Sequence, residues 1–471
     1  MWFNSWEFLY FLPTVLAIYY SLNKKAQNLW LLVASYFFYG WWDWRFLSLV
    51  FASTLVDYFA GLYIQNQQAP STRRLGLYAS LFMNLGALCL FKYFNFFVDS
   101  FTALGDSFGL NFNTPVLRLL PPVGISFYTF QTLSYTIDVY RNRQEPVRNF
   151  IDFALYVTYF PQLVAGPIER ATALLPQIQK KRIVTLEQFQ AGCLLILIGL
   201  FKKIALADAA APLVEEAFAN PQAQSSIILL KGLYLFSLQI YCDFSGYSSI
   251  ARGVSKLIGI ELSENFQTPY LATNITDFWR RWHITLSRWL RDYLYIPLGG
   301  NRLGKTRTYI NLMLTMLIGG LWHGANWTFV VWGGLHGFYL AAHKKISEIR
   351  RTNTKKNAKL SSTILTVLKT VTTFHLVALT WIFFRSPDFT TACNYLTGIL
   401  RWHGGFPLSY LKLPILLFAL LAPIEWLQSR RFDVLAITRL PVPVRALYYV
   451  VMIIALILLG GNDVPFIYFQ F

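Results

Sequence analysis

Charge is what this sequence has least of. Asp, Glu, Lys and Arg together make up 14% of 471 residues, and the acidic side chains number 23 against 41 basic ones. A soluble domain rarely carries so little charge beside 55% hydrophobic residues and a mean hydropathy of +0.42. Cysteine is almost absent. Cys89, Cys193, Cys242 and Cys393 lie far apart in apolar surroundings, with neither a Cys-x-x-Cys pair nor a Cys/His metal spacing, so they are expected to be buried small hydrophobes. The N-terminus lacks the basic region and small-residue cleavage site of a removable leader, so residues 2–20 are expected to remain as a first membrane segment. No polar stretch is long enough for a detached soluble domain. The longest connector, Lys344 to Ser362, is short and charged, so the chain reads as one membrane domain over residues 1–471.

What is present is a succession of apolar runs. The clearest are Phe46–Ile64, Leu75–Val98, Cys193–Leu200, Ser226–Tyr241, Ile310–Leu321, Trp327–Ala342, Thr363–Phe384, Leu411–Leu427 and Tyr448–Leu459. Weaker ones are Trp2–Tyr20, Leu29–Trp42, Gly124–Ile137 and Phe150–Val164. Against a requirement of about 20 apolar residues per span, the fold class is an all-α polytopic membrane protein with roughly 11 to 13 membrane-embedded helices. Runs that are short or interrupted by Gly and Pro are expected to be re-entrant or half-helices lining a cavity.

The net charge of +18 sits in clusters, among them Lys24/Lys25, Arg73/Arg74, Arg141 to Arg148, Arg170 to Arg182, Lys202/Lys203, Arg280 to Arg307, Lys344 to Lys359 and Arg430/Arg431. Short basic loops are retained in the cytoplasm and attract anionic lipid headgroups, which accounts for most of this excess. The charges flank spans instead of forming one basic face, which excludes nucleic acid as a partner. Aromatics crowd Ser35 to Trp42, as an interfacial belt requires.

Polar groups inside apolar runs mark interior segments. Ser126, Thr129, Gln131 and Ser134 follow Pro121-Pro122-Val123-Gly124, and Tyr159 to Arg170 carries two prolines and a glycine before Glu169-Arg170. In Tyr241-Cys242-Asp243-Phe244-Ser245-Gly246-Tyr247, Asp243 could orient an imidazole and Ser245 could meet a substrate. An Asp-capped helix start explains the same residues equally well.

The segment Asp277 to Tyr295 reads as one amphipathic helix. Phe278, Trp282, Leu286, Trp289 and Tyr293 share a face, and Arg280, His283, Ser287 and Arg291 form a second, polar stripe. Such a helix can lie in the membrane interface. Its arginines, Arg280, Arg281, Arg288 and Arg291, could hold a phosphorylated donor, because the guanidinium fork bonds two oxygens at once. In Leu321-Trp322-His323-Gly324-Ala325-Asn326-Trp327 an imidazole stands within a membrane-length apolar run. Ionisable groups at membrane depth usually face a protein interior or watered cavity, which makes His323 and His283 candidate site residues. A hydrogen bond to a neighbouring helix is the plainer reading of each. Asn326, three residues after His323, could share its helical face, and Trp322 adjoins it. His336 lies 13 positions on, pointing to another side of the same helix, and reads as structural. The histidines have no carboxylate at ligand spacing, so no metal site is expected.

These segments together resemble the membrane-bound O-acyltransferase family, most closely its bacterial branch that acetylates alginate and other exported polysaccharides. The resemblance rests on Phe127 to Gln131, Pro161 to Ile168, Asp243 to Tyr247, Asp277 to Asn301 and Gly320 to Gly324, a core of about residues 120–340, extended by Thr373-Phe374-His375 and Trp381 to Arg385. It implies a central funnel or tunnel, His323 as the catalytic residue and His283 as the second histidine. It further implies acetyl-CoA as donor with no covalently bound cofactor, a polysaccharide acceptor, an extracytoplasmic SGNH-type partner, and location in a bacterial inner membrane. Alternatives within the family are D-alanyl transfer to teichoic acid from a carrier-protein thioester, and transfer to a lipid or protein. Outside it stands a proton-coupled transporter, for which no internal repeat is evident.

Overall fold

In a computed structural model, the described residues are 1–110, 117, 119–352, 362–405, 408–431, 433–461 and 464–467, and among them there is no strand. All thirteen apolar runs form helices. The chain divides into two compact units, Met1–Ile196 with Ile250–Ser263, and Leu197–Ser249 with Glu264–Phe471.

The first unit contains α1 (Trp6–Ser21), α2 (Lys24–Asp43), α3 (Leu47–Asn66), α4 (Pro70–Leu88), α5 (Phe94–Ser107), α6 (Ile125–Tyr140), α7 (Phe150–Thr158), α8 (Phe160–Leu163), α9 (Ala171–Gln179) and most of α10 (Leu186–Leu200). Its polar interior residues are used for packing. Asp57 accepts from Thr136 (2.9 Å), from Asn84 (2.8 Å) and from Ser80, tying α3, α4 and α6 together without an unpaired charge in the apolar interior. Every residue from Ile125 to Thr136 is buried, as the polar pattern of that segment predicts. Gln131 and Gln162 both donate to the carbonyl of Tyr156, which the break between α7 and α8 leaves available. Trp6, Trp41 and Trp44 are exposed, as aromatics of a membrane-interface belt would be.

The second unit holds α11 (Ala209–Ala219), Ser226–Ser249 of the long helix α12 (Ser226–Ile258), then α13 (Ile275–Arg281), α14 (Ile284–Leu290), α15 (Gly304–His323), α16 (Trp327–Thr352), α17 (Ser362–Arg385), α18 (Phe389–Leu400), α19 (Lys412–Arg431) and α20 (Val442–Leu459). Helices α15 and α16 form an antiparallel hairpin in which glycines let the backbones meet. A Cβ on Gly320 would collide with the carbonyl of Phe329 and lie 3.1 Å from the Cα of Gly333. Six helical stretches among the described residues are long and apolar enough to cross a membrane: Lys24–Asn66, Pro70–Ser107, Ser226–Ile258, Thr363–Arg385, Lys412–Arg430 and Val442–Leu459. The connector from Lys344 to Ser362 lies partly outside the described residues.

Several expectations change. Cys89 and Cys193 are exposed, Cys393 is half-buried and only Cys242 is buried, because the first two lie on outward faces of their helical segments. Lys202 and Lys203 are not loop residues. They sit in a π-helical turn, Phe201–Asp208, and are 2% and 0% exposed. Residues 277–295 are not one helix, because the chain breaks at Trp282–His283 into α13 and α14 and then continues as a π-turn, Arg291–Tyr295.

Candidate active site

His283 begins α14 with φ 42° and ψ 55°, a left-handed conformation that few non-glycine residues adopt. The surrounding loop holds it there. Asn265, itself buried, accepts from the backbone of Ile284 at 3.0 Å through its carbonyl and from the Thr285 hydroxyl at 3.0 Å through its side chain. The imidazole is fully buried, its ring centre 4.7 Å from that of Phe244 on α12, and burial pushes its pKa down to about 3. It is therefore neutral at physiological pH.

His323 ends α15, where Gly324 leaves the helix in an extended conformation. Its ring is 4% exposed and lies 6.5 Å from that of His283, centre to centre. Around it stand Trp322 and Trp332, each at 5.0 Å, and Phe384 at 5.4 Å. The fold thus brings together His323, His283 and Trp322 from segments 40 residues apart, in an aromatic enclosure.

The remaining predicted residues are placed otherwise. Asn326 does not share a helical face with His323, because α15 has already ended. Its amide donates to the carbonyl of Pro387 (2.7 Å) and its oxygen caps the backbone of Thr328 (3.0 Å). His336 lies on α16, not on the helix of His323. Trp279 donates to its Nδ1 (3.3 Å), so the neutral ring carries its proton on Nε2, which faces the Thr380 hydroxyl at 3.0 Å. That hydroxyl donates onward to Val377, and His336 is a link between helices.

Asp243 neither orients an imidazole nor caps a helix. It lies within α12, buried, where Oδ1 accepts from Lys203 (2.8 Å) and Oδ2 from the backbone of Ile467 (2.9 Å). Lys203 also binds Asp208 (2.7 Å). Ser245 is buried on the same helix. Arg280, Arg288 and Arg291 are exposed while His283 is not, so they form no stripe with it; Arg291 pairs with Asp292 (2.6 Å), and the half-buried Arg281 pairs with Asp277 (3.0 Å). One polar stripe would have needed one uninterrupted helix. Asn265, Lys203 and Asp208 escaped the sequence reading because each owes its role to a tertiary partner. The only cue was a lysine pair amid an apolar run.

The buried pair of histidines, one ending a helix and one held in a strained turn, lies within a stretch that matches a known family. Residues 143–385 match the membrane-bound O-acyltransferase family. A probable alginate O-acetylase of Azotobacter vinelandii is 44% identical over 418 residues, covering 88% of this chain and 80% of its own length. The chain belongs to the membrane-bound O-acyltransferase family. It is an O-acyltransferase and a multi-pass membrane protein. Within this family, a peptidoglycan O-acetyltransferase of Helicobacter pylori is 38% identical, with 85% of this chain and 80% of the relative covered. A teichoic acid D-alanyltransferase of Bacillus subtilis is 29% identical over 58% of this chain and 71% of its own length. Both motif histidines fall within the matched stretch.

Proposed function

We propose that this enzyme acetylates hydroxyl groups of an exported polysaccharide of the alginate type, taking the acetyl group from a cytoplasmic thioester, acetyl-CoA. The observation that carries the reading is the buried imidazole pair, His323 and His283, with ring centres 6.5 Å apart in an aromatic enclosure. Greater identity and coverage toward the alginate and peptidoglycan enzymes than toward the D-alanyl enzyme supports acetyl transfer to a glycan.

His323 is the general base. A hydroxyl oxygen attacks the thioester carbonyl carbon as the imidazole takes its proton, and the new ester forms as the thiolate leaves with the electron pair of the broken carbon–sulfur bond. His283, neutral and buried with its ring centre 6.5 Å from that of His323, is a neighbour and not a second acid. The exposed Arg280, Arg288 and Arg291 offer guanidinium groups to donor phosphates. An SGNH-type protein outside a bacterial inner membrane receives the acetyl group and passes it to the polymer, so the attacking hydroxyl at His323 belongs to that partner or to the glycan itself.

The test is turnover of radiolabelled acetyl-CoA by purified protein, wild type against His323→Ala. Loss of thioester turnover in the variant alone supports the reading. Equal turnover in both removes His323 from the chemistry, and failure of the wild type moves the donor toward a carrier-protein thioester.

A further inference from the structure

Trp279, Tyr270, Trp381 and Trp332 are buried or half-buried aromatic side chains with hydrogen-bonding capacity in the second unit, and most of that capacity is already used. The indole N–H of Trp279 donates to His336 (3.3 Å), and that of Trp381 donates to Tyr270 (3.2 Å), which donates in turn to the carbonyl of Ser237 (2.7 Å). Trp332 is different. It is 1% exposed, and its Nε1 takes no hydrogen bond among the described residues. Its neighbours are rings: His323 at 5.0 Å and nearly perpendicular, His336 at 4.8 Å, Phe384 at 5.3 Å and Trp381 at 5.7 Å. A buried indole N–H usually finds an acceptor, and one left without any keeps the full cost of its desolvation.

A second orphan stands beside it. Thr328 is one turn earlier on the same face of α16, is fully buried, and its hydroxyl likewise has no partner among the described residues. A threonine on a helix ordinarily returns its proton to a carbonyl of the preceding turn, as Thr54 and Thr315 do here. Thr328 follows the break at Gly324–Asn326, so its backbone N–H is capped by Asn326 and its hydroxyl has no preceding helical turn to bond. Two unpaired donors stand one turn apart on one helix face, and the indole of one, Trp332, packs against the imidazole proposed as base (5.0 Å between ring centres).

We infer that the Trp332 indole N–H, with the Thr328 hydroxyl beside it, donates to the acyl carbonyl oxygen of the group being transferred and holds the negative charge that gathers there during attack. The inference rests on the acyl-transfer reading above. It fills a role that Asn326 cannot, since its amide is committed to Pro387. A donor fixed in a water-poor enclosure stabilises developing charge without reorganising, and removal of one such donor typically lowers the rate about 10²–10³-fold.

The test uses the full-length protein in detergent and compares five forms for acetyl-CoA turnover and thermal unfolding. These are wild type, His323→Ala, Trp332→Phe, Thr328→Val, and a Trp332 replacement by benzothienylalanine, in which sulfur takes the place of N–H with the ring shape kept. The expected result is a kcat reduced about 10²-fold or more by the sulfur analogue, about 10-fold by Thr328→Val, with KM and melting temperature little changed in both. A purely structural Trp332 would leave the sulfur analogue at wild-type kcat, and that result overturns the inference even where Trp332→Phe unfolds. Failure of the acyl-transfer reading appears separately, as equal turnover by wild type and His323→Ala.

Discussion

A histidine held at φ 42° pays in backbone energy for its position, about 1–3 kcal/mol for a non-glycine residue in a sparsely populated region. Asparagine tolerates that region and a β-branched residue does not. His283→Asn is therefore expected to fold like the wild type, whereas His283→Val should unfold several degrees lower in detergent. Burial adds a pH dependence with a defined sign. The pKa of His283 is about 3 in the folded protein against 6.5 as the reference value, so between those values the unfolded chain binds the extra proton. Stability from this residue is constant above pH 6.5 and falls as the pH drops toward 3, by at most about 1.4 kcal/mol per pH unit. Melting curves at pH 7.5 and 5.0 should show wild type losing more than His283→Asn; an equal loss would mean the imidazole is solvated. The chemical identity of this residue was legible in the sequence, where a histidine among Trp and Arg stands out. Its conformation was not, because the Asn265 contacts that impose it come from 18 to 20 residues away.

At the scale of elements, every apolar run proved helical, but α9, α11 and α18 carried no such run and two junctions were misjudged. Residues 277–295 satisfy a helical pattern on both faces, and no proline or glycine interrupts them before Pro297. The break at His283 comes from tertiary bonds to Asn265, which no local signal encodes. At Gly324 the cue was present, yet the reading that placed His323 and His336 on one helix passed over it. Glycine there is required by space: any Cβ would run into the ring of Phe329. The hairpin that follows yields a prediction with an internal control. Gly320→Ala puts a methyl group against the Phe329 carbonyl and the Gly333 Cα, so α15 and α16 must separate, at about 1–3 kcal/mol. Gly334→Ala, whose Cβ would meet only Leu317 at an ordinary 3.4 Å, should leave the melting temperature nearly unchanged. Equal effects from the two would mean that the helices are not in close contact at Gly320.

For the whole molecule, composition gave the membrane class at once, and the excess of basic residues over acidic ones supplied an orientation rule. The pair Lys202/Lys203 shows where that rule fails: charges that neutralise buried carboxylates carry no topological information, and only burial distinguishes them from loop charges. The rule does apply to the open end of the α15–α16 hairpin. There Lys305 meets Glu348 (3.5 Å) and Lys344 donates to Asn301 (3.0 Å), with Arg302, Arg307 and Lys345 close in sequence. A helix of 20 residues rises about 30 Å, the thickness of a bilayer core, so His323 and the turn at Ala325 lie that far from the basic end. Basic connectors stay in the cytoplasm. Neither α15 nor α16 is among the six stretches apolar enough to cross a membrane by themselves, so the orientation is a prediction from the basic end alone: with that end in the cytoplasm, position 325 is expected on the outer side. Single cysteines at Ala325 and Lys345, in a chain freed of the exposed Cys89 and Cys193 and of the other two native thiols, test this with a membrane-impermeant maleimide. Right-side-out vesicles should label position 325 and spare 345, and inverted vesicles should do the reverse. Labelling of both positions from the same side would return His323 to the cytoplasmic face, and the acetyl group would then have to cross the membrane after the step at His323 instead of before it.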